Sequence, residues 1–342
     1  MRLDDVVTPA LLVDVEVLED NLQTMAAFFD GRPCGLRPHF KAHKCVEIAR
    51  RQRDHGTVGV TAQIAYEALV LARAGFGDIL VANQTVGPAK VAMLREAASQ
   101  ARVTVAVDSP ETIEAVVGTG VDVVVEVDVG LPRGGAPPDR VPDLVALARR
   151  RGLGVRGVQG YEGHAVLIED REKRAAVALA SVTQLLDVAA AVDAEVVTAG
   201  GTGTYDITGA ISGVTEIQAG SYALMDTAYA ALGLPFGEAL SCLATVISTT
   251  TGRSVLDAGL KAVSTDHGPP LLHAGEAGAV AFLSDEHTVV RLAEGERSPR
   301  VGDRVRLRPS HVDPTVALYD RLWAVAGDRV IDWWPVWRGW GP

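Results

Sequence analysis

Eight apolar, strand-like runs alternate with helical patterns between positions 36 and 219, and this alternation restricts the fold more than any other feature of the chain. The expected strands are 36–41, 57–61, 78–82, 102–107, 121–127, 155–161, 195–199 and 215–219. Helical patterns occupy 18–29, with Leu18, Leu22, Met25 and Phe29 on one face, then 64–74, a segment opening at Pro88, and a long stretch ending near Val192. Asp108-Ser109-Pro110-Glu111 opens another helix with a capping residue and a proline in the first turn. The run 121–127 is continuously apolar and β-branched, as in strands covered on both faces. Eight parallel-type strands with intervening helices predict an α/β fold of the (β/α)8 TIM-type barrel class. A doubly wound open sheet is the competitor. The strand count favours the barrel, and so do the polar residues gathered at strand C-terminal ends, where such barrels keep their active sites.

After Gly237 the texture changes. Alternating runs at 241–250, 253–256, 286–292 and 304–307 are separated by turn signals such as Gly268-Pro269-Pro270 and Val301-Gly302-Asp303. A helical pattern returns only in a possible turn at 315–320. This predicts a second, all-β domain. Thr8-Pro9-Ala10-Leu11-Leu12-Val13-Asp14 reads as a further strand that can complete its sheet. The expected division is 15–237 for the barrel, and 1–14 with 238–342 for the β-domain.

With 342 residues, 48% of them hydrophobic, the chain can bury a large core and has room for roughly two domains. Its net charge of −11, without a sustained basic patch, argues against nucleic acid and anionic membrane as partners. The N-terminal residues show no basic-then-apolar leader, and no apolar run reaches the ~20 residues of a membrane span. Cys34, Cys45 and Cys242 are widely spaced with no C-x-x-C pair, which leads us to expect a reducing, cytoplasmic setting.

The chemistry begins in Gly35-Leu36-Arg37-Pro38-His39-Phe40-Lys41-Ala42-His43-Lys44. Read as a strand, this places His39, Lys41 and His43 on one face. A strand-end lysine beside two imidazoles suits a Schiff-base nucleophile, because burial and nearby cations lower an amine's pKa. The chain has only five lysines, and Lys90 and Lys173 lie in surface-like segments. The competing reading of Lys41 is a snorkelling strand-end side chain. After 121–127 comes Asp128-Val129-Gly130-Leu131-Pro132-Arg133, a glycine-containing loop that is either a ligand contact or a plain turn. After 155–161, Tyr161 and His164 belong near the barrel mouth, with Tyr161 either stacking on a ring or packing in the core. The last two barrel strands end in Gly200-Gly201-Thr202-Gly203-Thr204 and Gly220-Ser221-Tyr222. Barrels often bind phosphate with these two loops, through backbone N–H groups and hydroxyls. A lysine on the first strand and a phosphate site at the last two suggest pyridoxal 5'-phosphate. In the β-domain, His311 and Asp313 share a face if Ser310-His311-Val312-Asp313-Pro314 is extended, and an imidazole with a carboxylate can hold a divalent metal.

As an ordered set, these segments resemble the D-threonine aldolase / D-serine dehydratase family of fold-type III pyridoxal-phosphate enzymes, whose barrels look like that of alanine racemase. The resemblance runs nearly end to end. It covers Thr8-Pro9-Ala10, Arg37-Pro38-His39-x-Lys41, Asp128-Val129-Gly130 with Arg133, and Tyr161-Glu162-Gly163-His164. It also takes in the two glycine loops, Asp257-Ala258-Gly259-Leu260-Lys261-Ala262, and His311-x-Asp313. It implies that Lys41 carries the cofactor, that Gly201, Thr202, Gly220, Ser221 and Tyr222 surround its phosphate, and that Arg133 and Tyr161 contact its ring. His311 and Asp313 would hold the metal beside the substrate's β-hydroxyl. The departures are Ala42, where the family more often has threonine, and a tail unusually rich in tryptophan from Asp332 to Trp340. That tail reads as a packed edge, a dimer contact or a reshaped substrate pocket.

Resembling dehydratases pair the metal-binding histidine with cysteine, and aldolases pair it with aspartate. Asp313 is a hard oxygen ligand that suits manganese, magnesium or calcium better than zinc. The expected reaction is therefore retro-aldol cleavage of a D-β-hydroxy-α-amino acid to glycine and an aldehyde, with His39, His43, His164 and Asp266 as proton-relay candidates. Dehydration of a D-serine or D-3-hydroxyaspartate type of substrate, racemisation, and a non-catalytic cofactor-binding protein are the alternatives. A homodimer is the expected assembly.

Overall fold

The computed structural model describes residues 1–296 and 299–341. The chain opens with β1 (Ala10–Asp14) and α1 (Val15–Phe29). A β/α alternation follows: β2 (Gly35–Leu36), α2 (Val46–Asp54), β3 (Val60–Ala62), α3 (Ala65–Arg73), β4 (Asp78–Val81), α4 (Pro88–Ala98), β5 (Arg102–Val107) and α5 (Pro110–Val116). It continues through β6 (Asp122–Glu126), α6 (Val141–Arg150), β7 (Val155–Gln159), α7 (Arg171–Ala191), β8 (Val196–Ala199), α8 (Tyr205–Thr208) and β9 (Glu216–Ile217). The remainder is α9 (Thr227–Ala230), β10 (Leu240–Thr250), β11 (Arg253–Leu256), β12 (Leu271–Leu272), β13 (Ala279–Leu283), β14 (Thr288–Arg291), β15 (Arg304–Arg308), α10 (Val312–Val316), β16 (Arg321–Ala326) and β17 (Arg329–Pro335). Two compact units result. One comprises 25–41, 46–220 and 340–342, and the other 1–24, 42–45 and 221–339.

In the first unit, parallel strands run in the order β2-β9-β8-β7-β6-β5-β4-β3. A parallel bridge between His39 and Thr61 joins the two ends of that order. The N–H groups of Val58 and Thr61 also donate to the carbonyls of Leu36 and Pro38, each at 2.9 Å. This closes the expected eight-stranded barrel. Its continuous apolar runs have the expected cause. Val103, Val105, Val107, Val123 and Val125 are buried in the large core cluster with helix residues such as Leu94 and Ala97. Their alternate neighbours Leu80, Ala106 and Val124 form a separate cluster. Arg37, only 1% exposed, binds Glu216 through two hydrogen bonds of 2.6 and 2.8 Å and Asp78 at 2.7 Å. A Cβ on Gly59 would overlap its guanidinium, so that position is held to glycine by close approach.

Three expectations need correction here. The first barrel strand ends at Leu36 rather than running to Lys41, and Phe40–Ala42 coils into a 3-10 turn. Pro38 supplies no N–H to a ladder, and Lys44 has a left-handed φ of 48°. His39, Lys41 and His43 therefore do not line one strand face. Helices α2 and α6 were not among the patterns expected. Finally, α7 is long and apolar enough to cross a membrane by length and composition, contrary to the expectation that no segment would be. It opens on Arg171-Glu172-Lys173-Arg174 and buries Ala178, Val182, Leu185 and Val188.

In the second unit the sheet order is β13-β14-β11-β10-β1-β16-β17, with β15 pairing both β10 and β12. The expected N-terminal strand does join this sheet, antiparallel to β10 and parallel to β16. In the tryptophan-rich tail, Trp334 is buried, while Trp333 is exposed and pairs with Trp323 across β16 and β17.

Candidate active site

Five neighbouring strand ends of the barrel carry the predicted cofactor residues. In sheet order, Lys41 follows β2, Gly220 follows β9, the 200–204 loop follows β8, Tyr161 follows β7 and Arg133 follows β6. Parallel strands present all these ends on one rim, which is why residues up to 179 positions apart, such as Lys41 and Gly220, belong to one set of loops. Lys41 is half-buried. Its backbone N–H donates to Nδ1 of His39 at 3.4 Å, and His39 is itself buried with its N–H on the carbonyl of Ala219 at 3.1 Å.

The Arg133 guanidinium lies 5.4 Å from the centroid of the Tyr161 ring, a cation–π distance. Its Nη2 is 3.8 Å from Oε1 of Glu126, the last residue of β6. Glu126 is 4% exposed, and Gln84 donates to it at 2.5 Å. Burial pushes its carboxyl above the ordinary range, against the opposing pull of Gln84 and Arg133. In the 200–204 loop, Gly200 has φ +77°. The N–H of Gly201 donates to the Thr204 hydroxyl at 3.2 Å, so it is already engaged inside the loop. Space around Gly201 is tight. A Cβ there would lie 3.3 Å from both the Tyr161 ring and Val166. Thr202 is buried.

His164 is exposed, with Nε2 3.5 Å from the hydroxyl of Ser181. In the second unit, His43 is fully buried and its Nδ1 accepts the N–H of Cys45 at 3.1 Å. Ser221 and Tyr222 also belong to this unit. The Ser221 hydroxyl donates to Asp313 Oδ2 at 3.4 Å, and Tyr222 is buried with its ring 5.6 Å from that of Phe236.

The second unit also gathers the candidate metal ligands. The condition for a shared face, an extended 311–313, is met only at His311. His311 caps α10, and Asp313 lies in its first turn. The pairing survives this change, because His311 Nε2 is 3.9 Å from Asp313 Oδ2. Cation–ligand distances of roughly 2.0–2.6 Å allow both atoms to share one ion. The other ring nitrogen, Nδ1, donates to Asp266 Oδ2 at 2.6 Å. Ser264 donates to the second oxygen of Asp266 at 2.5 Å. Burial works to raise the Asp266 carboxyl. The hydrogen bonds from Ser264 and His311, with the charges of His311 and His267, outweigh it and hold the carboxyl below the ordinary range. His267 stacks on His311 with ring centroids 4.0 Å apart and planes 9° apart. Possible ligand atoms of Asp266, His267 and His311 all lie within 4.8 Å of one another. Sequence reasoning named Asp266 as a relay candidate and overlooked His267. The Asp266-His267 pair before the Gly268-Pro269-Pro270 turn was the available signal.

These residues fit both groups by donor chemistry. The barrel offers a half-buried amine, an arginine beside a tyrosine ring and a loop of glycines and buried threonines, a donor set in keeping with pyridoxal phosphate. The second unit offers an imidazole with its distal nitrogen turned toward a carboxylate, as a divalent cation requires.

Comparison with known proteins places these features among relatives. Residues 13–228 match the alanine racemase N-terminal domain family, and residues 239–325 match the putative serine dehydratase domain family. The chain is 40% identical to a D-threonine aldolase of an Arthrobacter species, over 96% of this chain and 92% of that one. It is 34% identical to the 3-hydroxy-D-aspartate aldolase of Paracoccus denitrificans strain Pd 1222, over 98% and 93%. The crystal structure of D-threonine aldolase from Filomicrobium marinum superposes with a TM-score of 0.94 at 35% identity, covering 98% of this chain and 96% of that one.

Proposed function

Because the chain belongs to the D-threonine aldolase / D-serine dehydratase family of fold-type III pyridoxal-phosphate enzymes, we propose that it is a lyase cleaving D-β-hydroxy-α-amino acids of the D-threonine type to glycine and an aldehyde. The observation that carries this is the arrangement of Lys41, Gly220, the 200–204 loop, Tyr161 and Arg133 on five successive strand ends. Lys41 would hold the cofactor covalently. The 200–204 loop with Gly220, Ser221 and Tyr222 would take its phosphate, and Arg133 with Tyr161 would orient its ring. When bound, pyridoxal phosphate supplies an electron sink for the pair released at Cα.

His311 and Asp313 would hold a divalent cation, with manganese, magnesium or calcium favoured over zinc by the oxygen ligand. A cation there supplies Lewis acidity toward the substrate's β-hydroxyl. Asp266 drops out of the proton-relay set on this reading, because its carboxylate is committed to His311. His43 is less suited than before, since its Nδ1 serves the backbone of Cys45. His39 and His164 remain. A homodimer and a cytoplasmic location complete the proposal.

The second reading, β-elimination by a dehydratase, is favoured by the match of residues 239–325 to the putative serine dehydratase domain family. Incubating the protein with D-threonine, pyridoxal phosphate and manganese separates the two. Acetaldehyde and glycine support the aldolase reading, and 2-oxobutanoate supports the dehydratase. Loss of activity with EDTA would argue against a racemase, and a yellow protein without turnover would point to a non-catalytic role.

A further inference from the structure

We propose that Glu162 is a positioning residue for the phosphate loop, and that by fixing this loop it makes the barrel select a phosphorylated pyridoxal over an unphosphorylated one. The inference rests on the cofactor reading above and extends it to a residue that reading leaves without a role. Glu162 follows β7 and is 1% exposed. Its carboxylate accepts three hydrogen bonds from one short stretch of chain. Oε2 takes the N–H of Gly200 at 3.1 Å. Oε1 takes the hydroxyls of Thr204 at 2.8 Å and Thr208 at 2.6 Å. A buried carboxylate is costly unless it is hydrogen-bonded in this way.

The three bonds fasten both ends of the 200–204 loop and the first helical turn after it to one side chain. The loop has little other freedom. Gly200 sits at a positive φ, and a Cβ on Gly203 would overlap the carbonyl oxygen of Val166. The Thr204 oxygen also receives the Gly201 N–H at 3.2 Å, which extends the network from Glu162 along the loop. A carboxylate beside a phosphate loop repels the anion. Its presence is accounted for if holding the loop in one geometry contributes more to phosphate binding than that repulsion removes.

The test uses cofactor-stripped wild type, Glu162→Ala and Thr208→Val, each titrated with pyridoxal 5'-phosphate and with pyridoxal, binding being read by visible absorption. Glu162→Ala is expected to weaken pyridoxal phosphate about tenfold or more while changing pyridoxal by less than about twofold. Thr208→Val keeps the side-chain shape and removes one bond to Glu162. It should weaken pyridoxal phosphate about threefold and leave pyridoxal unchanged. Thr208→Val alone decides the matter if Glu162→Ala does not fold. Equal losses for both ligands, or unchanged affinity for pyridoxal phosphate, would overturn the positioning role while leaving the cofactor reading intact. A wild type that does not prefer the phosphorylated ligand would overturn both.

Discussion

Asp266 and His311 stand 45 residues apart in the chain, yet the imidazole Nδ1–H of one reaches the carboxylate of the other at 2.6 Å. That bond fixes the tautomer and leaves Nε2, the nitrogen turned toward Asp313, as the ligating atom. Carboxylate–histidine–metal arrangements depend on such partners. Asp266→Asn should therefore raise the dissociation constant for manganese about 10–100-fold. Calorimetric titration of the metal-free protein measures this, and a change smaller than about twofold would count against the arrangement.

Asp313→Cys tests the choice of metal. Replacing a hard oxygen with a thiolate should weaken manganese and strengthen zinc, because soft sulfur ligands favour the latter. Competition between the two ions, followed by manganese electron paramagnetic resonance, reports the exchange. An unaltered preference would mean that Asp313 is not a ligand.

Lys41→Ala should abolish covalent retention of the cofactor. Borohydride reduction of the wild type followed by peptide mapping should label position 41, and the variant should lose the label and essentially all turnover. Labelling at another lysine would refute the assignment.

Glu126 gives a pH dependence of stability. Its carboxyl is raised by burial above the unfolded value of 4.5. The folded protein therefore binds a proton that the unfolded chain releases first. This contribution to stability is complete below pH 4.5 and is lost as pH rises through the folded value. Glu126→Gln should flatten the slope. Urea midpoints of the cofactor-free proteins, compared from pH 4.5 upward into the neutral range, should diverge in favour of the variant.

Arg37 is a structural case. Removing it strands Glu216 and leaves Asp78 with Arg156 alone, at 3.4 Å. Arg37→Met should destabilise the barrel by roughly 3–5 kcal/mol in urea unfolding. Removing one member of a buried ion pair costs more than the pair itself is worth, so a loss below about 1 kcal/mol would contradict this account.

The barrel is legible in the sequence wherever a strand is covered on both faces. The expected 102–107 is the observed β5, and 121–127 shortens only at its ends to β6. Legibility fails where long-range contacts override local pattern. The Lys41 segment has alternating titratable residues, but Pro38 interrupts the ladder, leaving a single bridge from His39 to Thr61 before the chain coils at Phe40–Ala42. Residues 311–313 look extended in isolation. In the fold, Asp226 accepts the N–H of Val312 at 2.9 Å and helps set the start of α10. The ring stacking of His267 on His311 has no periodic signature, and Glu162 was visible in its motif without any hint of the three donors it collects.

The place of β1 has a consequence for biosynthesis. Its residues Leu12 and Val13 pair on one edge with Ser241 and Leu240, and on the other with Trp323 and Ala324. On the ribosome, the barrel's strands all precede both of those partners. This apolar strand therefore waits without its sheet partners while the chain up to Leu240 is made, exposed meanwhile to wrong partners and to chaperones.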